Sequence, residues 1–109
     1  MEISWEELNQ AAMQIILHAG DARTLIMKAV NLVCEHDDIN AAQDCLKEAK
    51  KLLEKGHQIQ TDYIQKTVAN ENQKPCLLFN HAQDTLMVIY SEQLMVKNML
   101  KLYIKTVER

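Results

Sequence analysis

Residues 4–33 read SWEELNQAAMQIILHAGDARTLIMKAVNLV, and this stretch decides the fold. Ser4 with Glu7 three residues on is a capping box, and Ile3 with Leu8 forms the hydrophobic staple outside it, so a helix starts at about Trp5. From there Leu8, Ala12, Ile15, Ala19, Ala22, Ile26, Ala29 and Val33 step by 4,3,4,3,4,3,4. A seam sustained over more than three heptads faces another helix.

Downstream, Glu35-His36-Asp37-Asp38 breaks the pattern, and the Asp38 carboxylate suits the cap of a second helix. Ala42, Cys45, Ala49, Leu52, Gly56, Ile59 and Tyr63 then repeat the 3,4 spacing, with Lys47, Lys50, Lys51, Glu54 and Lys55 between them as a solvated face. A second breaker, Asn70-Glu71-Asn72-Gln73-Lys74-Pro75, is polar and closed by the only proline, which suits a helix entrance. The reading is an all-α antiparallel three-helix bundle, one domain over 1–109, with helices over about 5–34, 39–69 and 76–107 and a length on the order of 45 Å.

Composition agrees. The chain has 109 residues, and glycine and proline number 2 and 1, where average usage gives about a dozen. A sandwich, barrel or doubly wound sheet needs more turn residues than that. With only Gly20 and Gly56, no Walker A or G-x-G-x-x-G loop exists. A net charge of −3 without a Lys/Arg block argues against nucleic acid or an anionic membrane as partner. The acidic start, without a basic and apolar leader, and the absence of eighteen consecutive apolar residues lead us to expect a cytoplasmic protein with no membrane insertion. Cys34, Cys45 and Cys76 are odd in number and unrelated in spacing, as packing thiols are.

The third helix departs from ordinary amphipathicity. Apolar residues from Leu77 to Ile104 occupy nearly every face, more than two neighbouring helices of one chain cover, so self-association is expected with this helix at the centre. On one stripe stand His81, Asp84, Ser91 and Asn98, the last three at one heptad position among Val88, Met95 and Leu102. On a symmetry axis, the Asp84 carboxylates of several copies meet, and they must protonate or hold a cation. Three of them supply half of the all-oxygen octahedral shell of Mg²⁺. The plainer alternatives are that Asp84 and Ser91 face solvent, that Asn98 only sets register, and that His81, among Leu77, Leu78 and Thr85, is a packing residue.

At His81-Ala82-Gln83-Asp84-Thr85-Leu86-Met87 the chain resembles the IIA components of the lactose/cellobiose (N,N′-diacetylchitobiose) class of the bacterial phosphoenolpyruvate-dependent sugar phosphotransferase system. Six of the seven positions match the motif H-[AG]-Q-D-H-L-M. Ala19-Gly20-Asp21-Ala22-Arg23-Thr24 resembles [AS]-G-[DQ]-A-[RK]-S, and His57-x-x-Gln60-Thr61 resembles H-x-x-Q-T. The resemblance implies a homotrimer with the third helices at its axis. It implies that His81 takes a phosphoryl group from phospho-HPr and passes it to a cysteine of the cognate IIB component of a permease. It further implies that Asp84 of three subunits shares one Mg²⁺. His57 and Gln83 are candidates for support beside His81. Thr85 departs from the family's second histidine, and its hydroxyl is a candidate donor to a phosphate oxygen.

The chemistry needs little beyond the ring. A neutral imidazole, with an unperturbed pKa of about 6.5, is nucleophilic at neutral pH and leaves readily once its other nitrogen is protonated. We expect phosphate on Nε2, with Nδ1 held by the Leu77 carbonyl and an apolar rim of Leu77, Leu78 and Ala82. Gly20 reads as a point of close helix approach, at a cost of about 1 kcal/mol relative to Ala. His18 with Asp21 gives too few ligands for a metal site, and His36 reads as a solvated loop residue. Two alternatives accompany the carrier: a helical adaptor regulated by phosphorylation of His81, and a structural homotrimer without phosphoryl chemistry.

Overall fold

The computed structural model describes residues 2–108; Met1 and Arg109, the ends of the domain expected over 1–109, lie outside them. Three helices follow in order, α1 (Trp5–His36), α2 (Ile39–Val68) and α3 (Leu77–Val107), with no strand among the described residues. They form a rod of 59 × 18 × 17 Å with a radius of gyration of 17.1 Å, where a compact domain of this length has about 13 Å.

The start of α1 lies where the sequence puts it. Ser4 is extended, and its hydroxyl accepts from the Glu7 N–H at 3.1 Å, while Ile3 and Leu8 are both buried. The end of α1 falls two residues beyond the expected Cys34, because Asp37 takes the left-handed conformation (φ 51°) that more often belongs to glycine. Its N–H bonds to the Val33 carbonyl at 3.0 Å, so the helix runs through Glu35 and His36. His36 is exposed as expected, but it is a helical residue. Asp38 then caps α2 by accepting from the Ala41 N–H at 3.1 Å. At the far end of α2 the amide of Gln73 closes on the backbone of Ile3, accepting from its N–H at 2.9 Å and donating to its carbonyl at 3.0 Å. α3 begins one residue later than expected, since Cys76 occupies the cap position; it makes no capping bond there, and its thiol donates to Asn9 Oδ1 at 3.3 Å.

The α1 seam is the core. Leu8, Ala12, Ile15, Ala19, Ala22, Ile26 and Ala29 are all buried, and the alanines let α2 lie close. Ile15, Leu53, Leu86 and Ile89 are the largest fully buried side chains, each contributing about 1.5–3 kcal/mol by leaving water. The close approach expected at Gly20 occurs at Gly56, where a Cβ would stand 3.0 Å from Leu86 Cδ1 and 3.9 Å from the His18 Cβ. Cys45 and Cys76 are buried as packing thiols, whereas Cys34 is exposed, and all three are free. Among the described residues no helix is long and apolar enough to cross a membrane.

Candidate functional site on the outer face of α3

Only one side of α3 is packed within the chain. Phe79, Ala82, Leu86, Ile89, Gln93 and Leu100 are buried, and the Gln93 amide donates to the Leu46 carbonyl of α2. On the opposite side Asp84, Val88, Ser91, Met95, Asn98 and Leu102 are exposed, Leu102 by 69%. The apolar-all-round helix is therefore half uncovered.

His81 is the fifth residue of α3 and is exposed. Arg23 of α1 grips Glu92 through two hydrogen bonds, Nε to Oε1 at 2.9 Å and Nη2 to Oε2 at 2.7 Å, which marks the α1 side of α3. His81 lies three turns before Glu92 on that same side. This pair holds the Glu92 carboxyl below its ordinary value, through the hydrogen bond first, and raises the Arg23 guanidinium above its own. Opposite charges at residues 23 and 92 of parallel helices were the signal for the pair, and it supplies a task for Arg23 that motif matching alone does not.

Among the described residues no side-chain hydrogen bond reaches His81. The expected donation from His81 Nδ1 to the Leu77 carbonyl is thus not made among the described residues, and that carbonyl takes its place in the helical ladder. The expected rim is also smaller. Leu77 is 84% exposed and Leu78 half-buried, but Ala82 is fully buried beneath them, since its position on the helix turns it into the core. Thr85 is half-buried one turn beyond His81.

Gln83 leaves His81 for the other side of the helix. Its Oε1 accepts from Gln60 Nε2 of α2 at 3.3 Å, a pair 23 residues apart that no local spacing announces. Gln60 is buried, and its own Oε1 has no partner. His57 is exposed on α2, and among the described residues no side-chain hydrogen bond joins it to His81. Asp84 is exposed beside His81, and among the described residues no three His, Cys, Asp or Glu side chains are grouped to hold a metal. One chain supplies one carboxylate of the expected site.

The model of the family "PTS system, Lactose/Cellobiose specific IIA subunit" matches residues 10–104. The lichenan-specific phosphotransferase enzyme IIA component of Bacillus subtilis (strain 168) is 36% identical over 104 residues, covering 95% of this chain and 94% of that protein. The crystal structure of PtcA from S. mutans superposes with a TM-score of 0.86 at 36% identity, over 93% of this chain and 98% of that one. The PTS cellobiose-specific enzyme IIA from Bacillus anthracis gives a TM-score of 0.83 at 28% identity, over 100% and 96% of the two chains.

Proposed function

The chain belongs to the lactose/cellobiose-specific IIA family of the sugar phosphotransferase system, and on that premise we propose that it carries a phosphoryl group on His81 between phospho-HPr and a cognate IIB component. The carrier works in the cytoplasm and, through IIB and the IIC permease, serves uptake of lactose-, cellobiose- or chitobiose-type sugars. The observation that carries the reading is the exposed His81, without a side-chain hydrogen-bonding partner among the described residues, at the head of the matched motif. An open ring on a convex surface suits a residue that two proteins must reach in turn.

In the first transfer Nε2 of neutral His81, the nitrogen farther from the backbone, attacks phosphorus in line. The new N–P bond forms as the N–P bond to the HPr histidine breaks, and that bonding pair returns to the HPr ring. In the second, a IIB cysteine thiolate attacks; the S–P bond forms, the N–P bond breaks, and the electron pair restores neutral imidazole on His81. Alignment and exclusion of water do most of the work in such transfers. Leu77 and Leu78 give each partner an apolar landing beside the ring, and the Thr85 hydroxyl donates to a phosphate oxygen. Gln83 supports the site indirectly by tying α3 to Gln60 of α2.

The active form in this reading is a homotrimer with α3 at its axis, supported by the exposed apolar residues of α3 from Val88 to Leu102. Asp84 of each subunit would then hold one shared Mg²⁺. The three carboxylates would supply oxygen ligands to such a cation, whose charge would offset their mutual repulsion.

Intact mass after incubation with phosphoenolpyruvate, enzyme I and HPr tests the carrier. One acid-labile phosphate per chain is expected, absent from His81→Ala. A chain that gains no mass, or a variant that gains as much as the wild type, overturns the assignment.

A further inference from the structure

Gly20 stands exposed at mid-length in α1, and a Cβ built on it meets no atom within 4 Å. Its own bundle has no use for the missing side chain, although a glycine weakens the helix that contains it. Met13, Leu17, Gly20, Thr24 and Met27 step by 4,3,4,3 and so share one outward stripe. Met13, Leu17 and Met27 are 56%, 55% and 56% exposed, and the Thr24 hydroxyl is spent on the Gly20 carbonyl at 3.2 Å.

We infer that this stripe is covered by α3 of a second copy of the chain, with the second copy's Met87 seated over Gly20; the inference rests on the trimer reading above and names its second contact. The distribution of uncovered apolar side chains identifies the occupant. Among the described residues the large ones lie on α1 and α3, whereas α2 shows only Val68, at its last turn. The outer face of α3 is thus the one complement the chain itself provides.

The register agrees. Asn9 with Cys76, Arg23 with Glu92, and Asp37 with Tyr103 join residues 67, 69 and 66 apart, so α1 and α3 run parallel with an offset that stays within one helical turn. A rotation axis along α3 keeps every copy at one height. A neighbouring α3 therefore offers Gly20 the span 86–89, in which Leu86 and Ile89 are buried in their own bundle and Met87 is exposed on the flank away from Glu92, and it offers Met27 the residue Leu94 one heptad after Met87. Both are more than half exposed. Met87 and Leu94 also lie on the side of α3 away from Glu92, so the α1 side of one copy meets the other side of the next. Such a head-to-tail contact closes into a ring. Because His81 lies on the α1 side of its helix, the incoming α3 gives the open site its second wall.

Sedimentation across a concentration series tests this with wild type, Gly20→Leu and Gly20→Leu/Met87→Ala, each checked for helicity. The position is exposed and a Cβ there meets no atom within 4 Å, so the leucine starts into open space and the helicity check reads whether the protomer keeps its fold. The trimer of Gly20→Leu should dissociate at a concentration roughly tenfold higher or more, as overpacking of a closed contact demands, and Met87→Ala should recover most of the loss. A wild-type trimer that Gly20→Leu leaves equally tight overturns the inference while the trimer reading stands. A loss that Met87→Ala does not relieve overturns Met87 as the occupant. A wild-type chain that sediments as a monomer overturns the trimer reading and this inference with it.

Discussion

Helices α2 and α3 flank the same α1 seam, yet they turn opposite chemistry outward. Beyond Leu46, Leu53 and Gly56 on its inner side, α2 shows solvent Lys47, Lys50, Lys51, Glu54 and Lys55. Beyond Leu86 and Ile89, α3 shows Met87, Val88, Leu94, Met95, Met99 and Leu102, each at least 51% exposed. A helix that needs only one covered face has the pattern of α2. The pattern of α3 leaves a second, apolar face uncovered within the chain, and His81 and Asp84 of the matched motif are exposed there.

The strongest way to break the comparison is to give α3 the surface of α2. Met95→Lys places an ammonium from each copy near the proposed axis, where an uncompensated buried charge costs about 3–5 kcal/mol per copy. Sedimentation should show a helical monomer, and a surviving trimer would mean that this face is ordinary surface. Next in size is a change on the inner face. Leu86→Ala removes a fully buried side chain and should cost the protomer about 2–5 kcal/mol by denaturant unfolding, with no selective effect on assembly beyond that loss. The smallest effect is expected where α3 meets α1 at its surface. Arg23 lowers the Glu92 carboxyl from its ordinary 4.5. The pair therefore adds stability above that pH and loses it as pH falls through the lowered value. The side chains are 49% and 40% exposed, so water and salt keep the gain small. Glu92→Gln should unfold slightly more readily than wild type at neutral pH, and the difference should shrink as pH falls through the lowered value.

The sequence carried the bundle well because its signals are local. Ser4 and Glu7 mark one helix start, Asp38 another, and the 3,4 spacing names the buried residues of α1 from Leu8 to Ala29 except Ala11, while Val33 at its end is only half-buried. Where the reading slipped, the deciding interaction was distant or uncommon. Asp37 stops α1 in a conformation expected of glycine, which moved the boundary from Cys34 to His36. Ala82 was placed on the rim because motif adjacency does not say how far a helix is rotated about its axis. The divergence of Gln83 from His81 depends on Gln60 in another helix, and the task of Arg23 on Glu92, 69 residues away. The site was legible as a motif and as a polar stripe, while its lack of walls became visible only with the helices assembled.

The polar links between α1 and α3 have one more consequence. A seam built from Ala12, Ala19, Ala22 and Ala29 is smooth, and sliding α3 along it by one heptad keeps apolar against apolar. Asn9 with Cys76, Arg23 with Glu92 and Asp37 with Tyr103 stand near the two ends and the middle of the rod, and all three would break together in such a slide. They act as the marks of a vernier: each is weak, and jointly they select one axial alignment from several of nearly equal hydrophobic content. The height of His81 along the molecule is thereby fixed by three side-chain pairs of which His81 is not a member.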